Sequence, residues 1–467
     1  MAGRIGRAAA LIGYTTAVSI ALAGCARETP YTAPFFSFSR SYATQTSGVP
    51  VLLDNAAWWT GFREPVLDAL VEQALRGNLD LAVARERIAE AQANLRTIPN
   101  AALLTPEARI SRNKAVEATP ETRSEASLGL SWMLDPYGAR RQQIKAARAR
   151  IEAADAEADA ARLLVLFNLA NAYVDLRFRQ RLLQIRQQEV RARQQTLDLT
   201  RRLFEQQSAT RLDIVHTEAR LAEAEAQIPT LRAAIQSQKY QIATLLGATP
   251  GTLGINLDGG GQPAARLSTE VGIPADLLRN RPDIRIAERL YYATVAEIDV
   301  AQADLYPRLS LSGAITLASI GGTRGTEYFF GPSIVLPALP NGDRKAAVAV
   351  RESRARQANV AWKSTVLDAI LEVETALLDY SGSSAAVRAS RKTVGLYREA
   401  VDLTLDLVTR DSATIRDLLE AEESTIDAEL ALAENLRQQA RGFISLNVGL
   451  GSGNAHGKTA TVLPPAP

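Results

Sequence analysis

The chain carries one long design twice, and no other feature limits its possible folds as much. Gly138 and Arg140 recur as Gly342 and Arg344, and Asp198-Leu199-Thr200 recurs as Asp402-Leu403-Thr404. Ser208-Ala209-Thr210, Asp213, Glu218 and Glu225 recur as Ser412-Ala413-Thr414, Asp417, Glu422 and Glu429, and Leu246-Gly247 returns as Leu450-Gly451. The offset is the same for every pair, so each copy holds the same elements at the same lengths. A duplicated unit of long helices packs pseudo-symmetrically, as a tube or bundle. Its period is far too long for a solenoid repeat.

Within each copy, hydrophobic spacing marks the elements. Residues 139–207 contain neither Gly nor Pro and are rich in Ala, Leu, Arg, Gln and Glu. As a helix rising ~1.5 Å per residue, such a run reaches roughly 100 Å. Ser208-Ala209-Thr210 breaks it, and Thr210 is suited to cap a return helix ending near Leu246, with a kink expected at Pro229. Ahead of the rod, a helix from Val66 to Leu95 is interrupted at Gly77-Asn78. Apolar and polar residues then alternate from Glu107 to Leu134 around a polar turn at Thr119-Pro120, as in a hairpin. The second copy repeats the order: a helix over 282–305, a hairpin over 308–336, a rod from near Asp343, a tip at Asp411–Thr414 and a return helix to about Leu446. Gly382 and Gly395 weaken the second rod, each by roughly 1 kcal/mol against Ala.

The pattern divides the chain into a leader (1–24), an extended arm (25–65), a first repeat (66–250), a linker (251–274), a second repeat (275–451) and a tail expected to be disordered (452–467). The fold class is mainly α with a small β part.

The N-terminus gives an address. Arg4 and Arg7 precede an apolar stretch from Ala8 to Ala23, which is short of the roughly 20 residues a membrane span needs. Basic start, apolar middle and small residues at the end describe an export signal. Leu22-Ala23-Gly24-Cys25 resembles a bacterial lipobox, in which Cys25 carries a covalent lipid and becomes the mature N-terminus. An uncleaved anchor and a buried lone Cys are the alternatives. Ala26 stands where an inner-membrane retention Asp would be, so the expected address is the outer membrane.

Composition argues against several classes. A net charge of +2 and no basic face interleaved with aromatics exclude a nucleic-acid partner. One Cys excludes a disulfide framework and a Cys-based metal site. There are two His, His216 and His456, with no phosphate loop, metal-ligand cluster or nucleophile motif, so neither an enzyme nor a metal or organic cofactor is expected.

Two hairpins supply four strands, which cannot close a barrel, and an open sheet edge in lipid leaves backbone groups unpaired. Membrane strands must therefore be shared among copies, and three copies supply twelve. Small soluble sheets capping a helical bundle are the alternative, and alternation alone does not separate the two.

Ile273-Pro274-Ala275-Asp276-Leu277-Leu278-Arg279-Asn280-Arg281-Pro282-Asp283-Ile284, with Ala287-Glu288 and Ala303-Asp304-Leu305-Tyr306-Pro307-Arg308-Leu309-Ser310-Leu311, resembles the TolC-like outer-membrane efflux lipoproteins. Trp58-Trp59 with Gly61-Phe62, and Leu134-Asp135-Pro136-Tyr137-Gly138, are similar to that family too. The resemblance implies a homotrimer combining a twelve-stranded β-barrel in outer-membrane lipid with a periplasmic α-barrel of long helices. It implies a periplasmic adaptor and an inner-membrane pump as partners, and drugs or other small toxic compounds as cargo.

The resemblance also places a gate at the helix tips (Ser208, Ala209, Thr210; Ser412, Ala413, Thr414). The family's constricting carboxylates map onto Arg416-Asp417-Leu418-Leu419-Glu420-Ala421, giving Asp417 and Glu420, three residues apart on one helical face. Threefold symmetry turns each into a ring favouring cations, and close like charges raise carboxylate pKa values. Glu420 stands where the family often has Asp, and Ser208 and Ser412 replace a usual turn Gly. The first-copy mates are Asp213 and His216; a His beside carboxylates senses pH, unless it is simply an exposed surface His. Arg416 and Asp411 are candidates for ties between neighbouring tips. The rival readings are an outer-membrane channel for type I protein secretion and a periplasmic coiled-coil scaffold without a pore.

Overall fold

The computed structural model describes residues 29–37, 57–113, 121–264, 280–320, 322–410 and 412–453. The leader (1–24), Cys25, the segment 265–279 with the start of the Leu-Leu-Arg-Asn-Arg-Pro motif, Asp411 and His456 lie outside them. After a 3-10 turn (Trp58–Phe62) come α1 (Pro65–Gly77), α2 (Leu79–Arg96), β1 (Ala102–Asn113), β2 (Glu121–Leu134), α3 (Ala139–Glu205) and α4 (Arg211–Leu245). The second copy supplies α5 (Pro282–Ala303), β3 (Arg308–Ile320), β4 (Thr323–Val335), α6 (Gly342–Thr409) and α7 (Ile415–Gly449). Both rods are single helices, α3 of 67 and α6 of 68 residues. Among the described residues no helix is long and apolar enough to cross a membrane.

Two compact units emerge. The first gathers residues up to Phe35, Arg87–Ala154 and Ile286–Lys363. Its main feature is one antiparallel sheet in the order β1-β2-β3-β4. The two expected hairpins are thus joined, because β2 also pairs β3: Leu128 faces Ile315, and Trp132 faces Leu311. Directly opposed residues share a face and alternate residues switch faces, so the register sorts the side chains. One face carries Leu104, Ile110, Leu128, Leu130, Trp132, Leu309, Leu311, Ile315, Leu317, Tyr328, Phe330 and Ile334. The other carries Thr105, Glu107, Arg109, Arg123, Glu125, Ser127, Ser131, Ser310, Ser312, Thr316 and Glu327, with Leu103, Met133, Phe329 and Val335 among them. Both faces are open in the single chain, and on the apolar one Ile110 is 80%, Ile315 56% and Phe330 66% exposed. Pro106 and Pro332 sit on the two edge strands, where a missing N–H costs least.

In the same unit, small side chains let α3 and α5 approach closely at Ala146, Ala149, Ala293 and Ala296. Tyr137, between β2 and α3, stacks at 4.7 Å on Tyr306, between α5 and β3. The segment from Thr29 docks on α5: the Thr29 amide donates to Asp299 (3.0 Å), and Tyr31 packs edge-on against Tyr292 (4.6 Å).

The second unit comprises Phe36–Glu86, Asp155–Arg285 and the chain from Ser364 onward. Trp58, Phe62, Leu67 and Leu70 pack with Leu166, Leu169 and Tyr173 of α3, Ile242 of α4, and Phe443 and Ile444 of α7. The arm read as extended through residue 65 therefore ends in a buried turn. Gly247, at φ +70°, passes the Gly77 carbonyl so closely that an added Cβ would lie 2.2 Å from its oxygen. The tail starts later than expected as well: Ser452 is buried, and the Gly453 carbonyl accepts from Arg162 (2.8 Å). α4 runs on through Pro229, and α6 through Gly382 and Gly395.

Candidate functional site at the helix tips

Both tips are built by the same local code. Gln207 takes a left-handed φ of 64°, and the Ser208 amide donates back to the Leu203 carbonyl at 2.8 Å. The Ser412 amide makes the equivalent bond to Leu407 at 2.8 Å. Thr210 then opens α4 as a capping box: its hydroxyl accepts from the Asp213 amide (3.2 Å), and the Asp213 carboxylate accepts from the Thr210 amide (2.8 Å) and hydroxyl (2.6 Å). Thr414 and Asp417 repeat this at the start of α7, at 3.3, 2.8 and 2.7 Å. Helix starts leave amides without intrahelical partners, and a Thr-x-x-Asp step satisfies two of them reciprocally.

The caps hold both carboxyls below the usual carboxylate range. For Asp213 the bonds from Thr210 dominate, with the charges of Arg416 and His216 adding to them. For Asp417 the bonds from Thr414 dominate, with Arg416 adding. A depressed carboxyl stabilises above its unfolded pKa and loses that contribution as pH falls through the folded one, so these caps hold at neutral pH and fail only in acid. Thr210→Ala should destabilise the first tip by ~1 kcal/mol. Hydrogen exchange at the Asp213 amide checks this: exchange should quicken there and stay unchanged at Asp417.

Ile415 and Leu418 are buried at the tip, whereas Arg416, Asp417, Glu420 and His216 are exposed and Asp213 is half-buried. The structure thus brings Asp213, His216 and Arg416 into one electrostatic group, and turns the Asp417 carboxylate toward its own helix start. Glu420 lies one turn further along α7.

A set of ion pairs between helices, the Arg193–Glu422 pair buried on both sides, went unread in the sequence. Glu422 of α7 accepts from Arg193 (2.7 Å) and Thr196 (2.7 Å) of α3. Burial pushes the Glu422 carboxyl upward, against the opposing pull of Thr196 and Arg193. Glu429 pairs with Arg181 of α3 and with Arg398 of α6. Asp175 of α3 pairs with Arg441 (2.7 Å) and Arg437 (3.5 Å) of α7, and Arg220 of α4 with Glu423 (3.3 Å). Each partner lies far away in sequence, so no local spacing signals the pairing. Above Leu418 and Glu422, α3 and α6 flank a cavity of about 620 Å³.

The described end of the Asn-Arg-Pro-Asp motif has a structural task. Arg281 is buried and donates to Asp283 (2.8 Å), to Glu372 of α6 (2.7 Å) and to the Gly449 carbonyl closing α7. It ties the middle of α6 to the C-terminal end of α7 at the start of α5.

Comparison with known proteins follows the same outline. The profile of the family "Outer membrane efflux protein" matches residues 70–248 and again 273–452, in step with the duplication. Nodulation protein T of Rhizobium leguminosarum bv. trifolii is 35% identical over 460 residues, covering 94% of this chain and 97% of that one. The pyoverdine export outer membrane protein OpmQ of Pseudomonas putida is 27% identical, with 93% and 96% covered. The solved outer-membrane channel OprN superposes with a TM-score of 0.84 at 30% identity, over 92% of this chain and 99% of that one.

Proposed function

We propose, from the premise that this chain belongs to the outer membrane efflux protein family, that three copies join into one conduit gated at the helix tips. The chain is an outer-membrane efflux protein of mainly helical fold with a four-stranded antiparallel sheet. The reading adds the trimer, the gate, the anchor and the partners.

The sheet carries the proposal. Four strands of 12–14 residues suffice to cross a bilayer, since a tilted membrane strand needs ~9–11. One face is mostly apolar and the other mostly polar, as lipid outside and water inside require. Its β1 and β4 edges are free, and an edge in lipid must find a partner. Twelve strands from three copies close it.

The rods support the same number. Leu367, Leu371, Leu378, Leu403 and Leu407 form an exposed stripe on α6. Their mates on α3 are Leu163, Phe167, Val174, Leu199 and Leu203, all buried or half-buried by the neighbouring helices. The duplication therefore leaves on α6 the face that α3 covers within the chain, and a second copy supplies the cover.

Cys25 is the anchor in this reading. It lies four residues before Thr29, whose amide donates to Asp299. A periplasmic adaptor and an inner-membrane pump complete the route, with small toxic compounds as cargo. At the gate, Asp417 and Glu420 form rings, and Asp213 and His216 stand beside them. In planar bilayers the purified protein should form cation-preferring channels. Asp417→Asn with Glu420→Gln should weaken that preference, and His216→Gln should flatten any conductance change between about pH 5 and 8. Monomeric protein without conductance would overturn the proposal; an unchanged pH profile removes the role of His216.

A further inference from the structure

Charge is divided unevenly between the two faces of the sheet. The register puts Glu107, Arg109, Arg123, Glu125, Arg308 and Glu327 on the mostly polar face. The cations there have acidic neighbours: Arg123 pairs with Glu125, Arg109 with Glu107 (3.8 Å) and Arg308 with Asp304 (2.7 Å). On the apolar face the described charges are Arg112 of β1 and Arg324 of β4, both exposed, and no described carboxylate joins them.

Both arginines sit at one end of that face. Arg112 lies two residues past Ile110 and opposite Thr122, and Arg324 shares a row with Ser319, Ser124 and Ile110. This is the end where β1 turns into β2 and β3 into β4. The rods α3 and α6 leave from the other end, where the same face finishes in Trp132, Leu134, Leu309 and Ile334. Between the ends, the apolar positions from Leu309 to Leu317 of β3 cover about 26 Å along the strand. At a barrel tilt of ~40° that is roughly 20 Å of height, near the thickness of a lipid-facing band. The arginines stand just beyond this band, on the side away from the periplasmic rods.

We infer that Arg112 and Arg324, with the hydroxyls of Thr122, Ser124 and Ser319 beside them, bind the phosphate groups of an anionic glycolipid in the outer leaflet. Its acyl chains lie on the apolar band below. The inference rests on the sheet being a membrane wall. A charge turned toward lipid is costly and rare unless it reaches a partner. The planar guanidinium forms paired bonds to phosphate oxygens, and nearby hydroxyls add donors. Carboxylates would repel phosphate, and here they are confined to the opposite face. The asymmetry of the two ends selects the leaflet: a lipid at the periplasmic end meets Trp132 and aliphatic side chains, with no cation on that face.

The test uses purified full-length protein in neutral detergent, titrated with bisphosphorylated lipid A, with the same lipid stripped of both phosphates, and with inorganic phosphate. Native mass spectrometry counts the bound molecules. The bisphosphorylated lipid should bind, and the other two should not. Arg112→Gln and Arg324→Gln should each weaken that binding about tenfold, the effect of losing one charge-assisted bond. Arg109→Gln, which removes the same charge from the opposite face, should leave it unchanged, and all three variants should conduct like the parent in planar bilayers. Equal binding of the two lipids, stabilisation by inorganic phosphate alone, or full binding by Arg112→Gln/Arg324→Gln would overturn the inference. A parent protein that conducts but takes up neither lipid sinks this inference alone, whereas a protein that forms no channels sinks the membrane-wall reading beneath it.

Discussion

Ile315→Arg should prevent the chain from settling in the outer membrane, whereas Thr316→Arg, one residue along, should be tolerated. Ile315 sits mid-strand in a row with Pro106, Leu128 and Tyr328, all on the apolar face. Thr316 lies in the opposite row with Glu107, Ser127 and Glu327, whose groups already require water. An arginine on the lipid face near the bilayer midplane costs ~2–4 kcal/mol, and threefold assembly multiplies it. On the water-filled side it costs little beyond local crowding. The fraction of protein resisting unfolding in detergent on an unheated gel, from purified outer membranes, reads the difference. Equal behaviour of the two variants would mean that the sheet is not a membrane wall, and the soluble-cap alternative would return.

Much of this arrangement could be read from the sequence, and the limits have physical causes. Helix ends carry local chemistry, so Thr210 announced the first return helix, whereas the part that Asp213 and Asp417 take in the capping boxes was not read. Residues 139–207 announced a rod because nothing in them breaks a helix. The hairpins were legible from alternation, though β1 starts at Ala102, ahead of the expected Glu107, because an edge strand tolerates Pro106. The β2–β3 pairing was not legible, since register between strands so far apart is set by which faces must match, not by local spacing. At the tips, sequence reasoning assigned Asp417 to a charged ring, and the structure adds that its carboxylate is already engaged by Thr414. A surface position looks the same in sequence whether its side chain faces a lumen or its own helix start. Glu218 and Glu422 look alike for a similar reason, although their surroundings differ sharply.

That difference sets the second large effect. Glu422→Ala should destabilise the protein by ~3–5 kcal/mol per chain, because it leaves the Arg193 guanidinium buried with little beyond the Leu419 carbonyl at 3.4 Å. Its mate offers the control. Glu218 pairs with Arg201 at 3.0 Å, but both side chains are roughly half exposed, at 42% and 52%. Glu218→Ala should therefore cost no more than ~1 kcal/mol. Replacing both buried partners, as Arg193→Met/Glu422→Leu, should recover most of the loss, since the penalty lies in an uncompensated charge and not in the absence of a pair. The pH dependence is a further check. A carboxyl raised by burial favours folding in its protonated form; that contribution is full below its unfolded pKa and is lost as pH rises through the folded one. Glu422→Gln has no such group to ionise and should lack that downward slope, while keeping the bond from Thr196. Denaturant titration of the detergent-solubilised protein measures all four variants. Similar costs for Glu218→Ala and Glu422→Ala would show that burial does not distinguish the two carboxylates, and the argument from an uncompensated buried charge would fail with it.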